Sequence, residues 1–345
     1  MYDLLMAGMA SLVDYVVLHV LTCLIPAFLM AGGMVTFINR EAVIVHLGSQ
    51  ANLFKSFSLS AIGGSILAAC SCTAIPVASG LFFSGAGIGV AFILLWAIPA
   101  VNVLALVYTG SILGLTMVAA RVIAVLVMAF VIGSVMHFIF HSRDENTSPH
   151  SSQKNTSLIG LHEFVVLALL LLSLLLPNFL VQDGSYGQKT AVWAVVMVIL
   201  GIYAWFKIPN DKLKQALRES WWFVRMIFPL LLLGVFLVGI IGDILPENWV
   251  TKWVGDNSLV SVFLASFAGS LTYFATLTEA PFVDTFMTMG MAKGPALTLL
   301  LTGPALSLPN WMAIAKVFGW KQSIVYVLVV ILLGSTAGWI YGNLI

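Results

Sequence analysis

Apolar residues run along this chain in long blocks separated by short polar interruptions. The blocks predict eight membrane-crossing helices, over residues 12–38, 88–110, 114–140, 161–181, 190–206, 221–243, 294–315 and 318–342. Each is near the roughly 20 residues needed to cross a bilayer. Asn39-Arg40-Glu41 ends the first, and Pro26 is expected to kink it. Two further stretches, 53–84 and 260–290, are as apolar but are broken part-way. In the first, 53–72 forms a helix that reaches Cys70-Ser71-Cys72, and the segment 76–84 after the break is too short to cross. Both stretches read as helical hairpins with their breaks inside the membrane. Residues 141–160 are polar and read as a flexible loop, and 207–220 as a basic amphipathic connector. The fold class is therefore an all-α, polytopic membrane protein. Whether 53–72 and 260–277 cross completely stays open.

The two interrupted stretches are related. A shift of 205 residues pairs Gly64 with Gly269, Ser65 with Ser270, Thr73 with Thr278 and Pro76 with Pro281. The same shift pairs Gly85 with Gly290, Gly89 with Gly294, and Pro99-Ala100 with Pro304-Ala305. One gapless offset whose matches fall mostly on Gly and Pro marks an internal repeat. Matched Gly and Pro mean matched backbone breaks. The chain divides into a first repeat (1–140), a linking region (141–220) of loop, two spans and connector, and a second repeat (221–345). Interrupted helices in both halves of a membrane protein point to a transport site near the bilayer midplane.

Composition agrees: 61% of residues are hydrophobic and 8% charged, too little charge to cover a soluble domain of 345 residues. A net charge of +1 implies no nucleic-acid partner. The lipid bilayer is the expected environment, and a homo-oligomer stays open. Asp3 and Asp14 near the N-terminus argue against a cleaved signal peptide. If each hairpin returns to its starting side, eleven of the fifteen Lys and Arg share one side. Lys189, Lys252 and Lys293 share the other, and Arg121 lies within a span. The positive-inside rule then puts both termini outside and inverts the two halves in the membrane. That is the plan of a secondary transporter.

The candidate chemistry sits at the two breaks. Cys70 and Cys72 stand at the first, where unwound backbone turns residues i and i+2 toward one cavity. Thiolates bind Cu(I), other soft metals and, by the same softness, trivalent arsenic. A cysteine in a crowded hairpin also simply packs; the Cys-x-Cys spacing at a repeated break raises the binding reading to equal weight. Glu279 and Asp284 stand in the matching hairpin opposite Ala74 and Ser79. A carboxylate at this depth is costly unless protonated or paired, so both are candidates for proton coupling. Thr73, Asn102 and Asn310 are added as substrate-binding candidates beside the breaks. Arg121 invites a carboxylate partner that the sequence does not name. Met287, Met289 and Met291 are soft but more often fill gaps. His137 and His141 read as interfacial. No Walker lysine motif and no zinc-protease motif is present, so no enzyme activity and no cofactor is expected.

Cys70-Ser71-Cys72-Thr73-Ala74-Ile75-Pro76, followed by Gly80 and Ser84-Gly85-Ala86, resembles the signature of a family of predicted permeases. That family includes the ArsP-type organoarsenical efflux permeases. Pro281-Phe282-Val283-Asp284, Gly290, Gly294, Gly303-Pro304-Ala305 and Leu308-Pro309-Asn310 resemble its second block. The resemblance covers both halves and implies an inner-membrane permease that exports trivalent organoarsenicals or soft metal ions. Ser307 departs from it, standing where an Asn is expected. Two readings stay open: proton-coupled efflux of a thiophilic solute, and a membrane thiol–disulfide electron carrier using Cys70 and Cys72. Cys-x-Cys disulfides are strained and oxidising, which gives the second its physical sense. A single thiol pair serves poorly to connect partners on both faces.

Overall fold

The computed structural model describes residues 24–39, 51–67, 71–101, 103–140, 159–180, 186–244, 253–272 and 279–344, with isolated positions before residue 24 and between 43 and 48. Cys70, Asn102, nearly all of the 141–160 loop and the two breaks, 68–70 and 273–278, lie outside the described residues. Among those described, every regular element is helical. The first half carries α1 (Ile25–Phe37), α2 (Leu53–Leu67), α3 (Ser71–Phe83), α4 (Ile88–Ala100), α5 (Val103–Leu113) and α6 (Leu115–Phe140). The linking region carries α7 (Leu161–Leu180) and α8 (Tyr186–Lys207), then the long α9 (Asn210–Ile244). The second half continues with α10 (Leu259–Leu271), α11 (Glu279–Thr288), α12 (Lys293–Ala305), α13 (Leu308–Phe318) and α14 (Trp320–Leu344). Among the described residues α6, α8 and α14 are each long and apolar enough to cross a membrane, or five spans if two bent pairs count as one each.

The 205-residue shift carries over to geometry. It maps α4 onto α12 and α5 onto α13 with identical bounds. The positive-φ glycines among the described residues fall into two shifted pairs, Gly85 (109°) with Gly290 (104°) and Gly114 (90°) with Gly319 (110°). Gly85 and Gly290 close α3 and α11 in the same way. The Ala86 and Met291 N–H groups reach back to the Leu81 and Phe286 carbonyls at 3.1 and 2.9 Å. This is the Schellman stop, whose left-handed residue favours glycine.

Some boundaries differ from expectation. The expected single spans 88–110 and 294–315 are each two helices, inclined at 50° for α4–α5 and 46° for α12–α13. Pro99 and Pro304 lie one turn or less before these bends, and the residues closing α4 and α12 leave helical geometry alike (Val101 φ −113°, ψ 41°; Leu306 φ −123°, ψ 46°). The second arm of the first hairpin is longer than the segment 76–84, because α3 starts at Ser71 and runs through Pro76. The connector is not separate from the span after it. Both belong to the 35-residue α9, since Lys, Leu, Gln, Ala, Arg and Glu after Pro209 are all good helix formers. Pro26 stands in the first turn of described α1, where proline is tolerated. His137 is buried, 6.4 Å edge-on from the Phe57 ring.

Helices α4 and α12 lie at the centre, in contact with each other. Every residue of α4 is buried. Phe92 of α4 stacks obliquely on Phe318 of α13 and Tyr326 of α14, with ring centroids 5.0 and 5.1 Å apart. Phe82 of α3 meets Phe318 at 5.2 Å, so an aromatic joint fastens the halves together. The other end of the packing uses small residues. A Cβ on Gly89 would come within 2.6 Å of the Gly133 carbonyl, and one on Gly338 within 2.6 Å of the Gly294 carbonyl. These two contacts are again 205 residues apart. They bring α4 against α6 and α12 against α14 as closely as backbones allow, the usual device where no hydrophobic gain separates lipid from protein. Gly338→Ala should therefore lower stability by about 1–3 kcal/mol, the cost of overpacking. Gly63→Ala, with open space around it, should not. Thermal unfolding of both purified variants checks this.

Helices α7 and α8 are peripheral, and α8 turns Val195, Val198, Ile202 and Phe206 outward. Such an apolar outer surface suits lipid contact. Outside the spans, Ser258 caps α10, its hydroxyl accepting from the Ser261 N–H. Asp256 in turn accepts from the hydroxyls of Ser261 and Ser258, which hold its carboxyl below the usual range.

Candidate functional site

Glu279 is the first described residue of α11. It is 2% exposed. The side chain that meets it is Arg121 of α6, fully buried, with Nη2 2.6 Å from Glu279 Oε1. Arg121 Nη1 also donates to Thr109 Oγ1 at 3.1 Å, and the Thr109 hydroxyl donates to the Ala105 carbonyl at 2.7 Å. Thr109 rides on α5, which packs against α11. The cluster thus draws two elements from the first half and one from the second. Beyond this contact, Arg121 Nε and Nη2 and both Glu279 oxygens have no hydrogen-bond partner among the described residues. Two opposite charges out of water are tolerable only together.

The repeat shift shows what the other half holds instead. It places Tyr326 opposite Arg121, Ile314 opposite Thr109 and Ala74 opposite Glu279. No charge stands there. Tyr326 is fully buried and its hydroxyl has no hydrogen-bond partner among the described residues. On α13, Ser307 and Asn310 are 1% exposed, and their side-chain polar atoms and Trp311 Nε1 have no hydrogen-bond partner among the described residues. Ser307 is the N-cap residue of α13, yet its hydroxyl makes no capping bond.

Comparison with known proteins agrees with this architecture. A family described as predicted permease, of ArsP type, matches residues 5–343. The chain belongs to that family. The permease is 34% identical over 346 residues to the UPF0718 protein MJ0584 of Methanocaldococcus jannaschii, covering 96% of this chain and 94% of the relative. It is 26% identical over 255 residues to the UPF0718 protein YraQ of Escherichia coli, covering 73% of this chain and 58% of the relative. No solved structure matches it. A multi-pass membrane transporter is what the family and the apolar helices together support.

The sequence-derived candidates fall unevenly in the permease. Glu279 and Asn310 are buried. Thr73 is buried on the first turn of α3, which packs against α13. Cys72 stands on the same helical turn and not in unwound backbone, because α3 starts at Ser71. Its side chain, Cys70 and Asn102 lie outside the described residues. Asp284 is half-buried and joins no ion pair among the described residues. Met289 is exposed and Met291 buried, so they do not face one space. Among the described residues no group of three or more His, Cys, Asp or Glu gathers to hold a metal. Thr109 and Tyr326 were not singled out by sequence. Nothing local marks Thr109; Tyr326 was findable, being the repeat partner of Arg121.

Proposed function

We propose that this permease is a secondary transporter of the cell inner membrane that exports a thiophilic solute, a trivalent organoarsenical or a soft metal ion, driven by proton entry at Glu279. The buried Arg121–Glu279 pair across the two halves carries this reading. Cys70 and Cys72 hold the solute through sulfur, with Thr73, Asn102 and Asn310 completing the site and Asp284 on the proton path. The contact pattern supports two halves related by a twofold axis. Under the 205-residue shift the contacts α4–α12, α6–α14 and α1–α9 map onto themselves, and α3–α13 exchanges with α5–α11. With the positive-inside asymmetry, such halves are inverted in the bilayer.

Protonation of Glu279 removes one charge of the pair and leaves Arg121 as an uncompensated buried cation. A buried charge without its partner is strongly unfavourable, so the arrangement of α5, α6 and α11 that protects the pair loses its advantage. Proton occupancy thereby biases which arrangement the halves adopt, which is what coupling requires. Glu279→Gln fixes the site in its uncharged form. In proteoliposomes loaded with methylarsenite, wild-type flux should respond to an imposed pH gradient, and Glu279→Gln flux should be low and flat with pH. A variant that keeps the wild-type pH profile removes Glu279 from coupling.

A further inference from the structure

Helix α9 is longer than a bilayer is thick. Its 35 residues extend about 52 Å at the α-helical rise, against about 30 Å of hydrocarbon in a bilayer. The charge pattern shows which part stays outside. No charged residue occurs between Arg225 and Asp243, so that segment is the membrane-crossing part. Before it, residues 207–225 carry Lys207, Lys212, Lys214, Arg218 and Arg225 against Asp211 and Glu219. Trp221 and Trp222 stand at the junction, and both are exposed. Tryptophan at such a junction marks the headgroup level of a bilayer.

Lys214, Arg218, Trp222 and Arg225 recur every three or four residues with Trp221 beside them, so they form one stripe along the helix. All five are exposed. The opposite face of α9, with Ala216, Ser220, Phe223 and Ile227, is buried, and the helix packs there against α1. Lys212 is already engaged: it pairs with Glu163 of α7 at 2.9 Å. Lys214 and Arg218 join no ion pair among the described residues. Arg218 stands one turn outside the tryptophans, about 5 Å along the axis, which is the depth of the phosphate groups beyond the hydrocarbon edge. Lys214 stands a further turn out. Arg225, one turn inside, carries its guanidinium back over the Trp221 ring, 5.4 Å from the centroid. The Trp222 ring meets Phe83 of α3 edge-on at 5.4 Å, and Phe83 is itself partly exposed. Three cations thus rim an aromatic surface that leads toward the membrane interior.

From this we infer that Lys214, Arg218 and Arg225, with Trp221, Trp222 and Phe83, form a binding site for an anionic phospholipid of the cytoplasmic leaflet. The phosphate diester lies against Arg218 and Lys214, and an acyl chain runs along Trp222 and Phe83. Arginine suits the headgroup because its guanidinium pairs with two phosphate oxygens at once. A zwitterionic headgroup brings its own cation, which the basic stripe repels, so the site selects by net charge. The positive-inside rule puts this end of α9 on the cytoplasmic face. The site stands whatever solute the permease carries.

The test incubates the purified full-length permease with equal amounts of phosphatidylglycerol and phosphatidylcholine and counts the lipids that stay bound by native mass spectrometry. Wild type should retain phosphatidylglycerol in excess. Lys214→Gln/Arg218→Gln should lower that excess roughly tenfold, the effect of taking two cations from an anionic surface. Lys293→Gln, which removes an exposed cation from the start of α12, should leave it unchanged. Without lipid, Tm should be the same for all three proteins. Added phosphatidylglycerol should raise Tm for wild type and not for the double variant, because a ligand stabilises only the state that binds it. Equal retention of the two lipids by wild type overturns the inference, and so does wild-type retention of phosphatidylglycerol by the double variant. A loss in Lys293→Gln as large as in the double variant also overturns it, since the attraction would then follow total charge and not this stripe.

Discussion

Arg121→Ala should destabilise the permease by about 3–5 kcal/mol, the cost of stripping one partner from a buried ion pair. The reason is not that the pair itself contributes that much. Glu279 is 2% exposed, and without Arg121 its charge has no counterion among the described residues. Part of the loss is recovered if Glu279 takes up a proton, so the destabilisation should be largest at high pH and shrink as pH falls. The double variant Arg121→Met/Glu279→Leu removes both charges and fills the space with apolar atoms. It should recover most of the stability, since a well-packed apolar pair is often neutral or better than a buried salt bridge. Transport should not recover with it. Thermal unfolding of the two single variants and the double variant across a pH series, with flux measured on the same preparations, separates the two roles. If Arg121→Ala unfolds like wild type, the two side chains do not form a sealed pair.

Replacing both thiols, Cys70→Ser/Cys72→Ser, should abolish export of a thiophilic solute, with at least a tenfold rise in methylarsenite retained by cells expressing the variant. Serine keeps size and polarity but not softness, and softness is what holds trivalent arsenic or Cu(I). The effect should exceed that of Thr73→Ala, because a lost hydroxyl contact weakens binding while a lost thiolate removes the bond. Single Cys→Ser variants should fall between if the two sulfurs share one solute. Unchanged retention in the double variant removes the thiol site.

How much of this was legible beforehand differs from element to element. The helices were, because a backbone in lipid must satisfy its own hydrogen bonds and apolar blocks of about 20 residues leave little else. The repeat was, through glycines and prolines whose conformational demands are local: Gly85 and Gly290 stop α3 and α11 at matching places. The bends after Pro99 and Pro304 were not, because proline in a membrane helix is sometimes carried through, as Pro76 is within α3. Glu279 and Arg121 were each conspicuous as charges inside apolar segments. Their pairing was invisible.

The sequence by itself determined the helical class, the division into two related halves, the asymmetry of thiols in one and acids in the other, and the family to which the chain belongs. The first three depend on composition, periodicity and the backbone preferences of single residues; the family rests on the resemblance of the motifs at Cys70–Pro76 and Pro281–Asn310. Only the tertiary structure decided that Arg121 reaches Glu279 and that Phe92 of the first half meets Phe318 and Tyr326 of the second. Those facts depend on which helix faces of two distant segments meet, and side chains far apart in the chain are brought together by interhelical packing that no local pattern encodes.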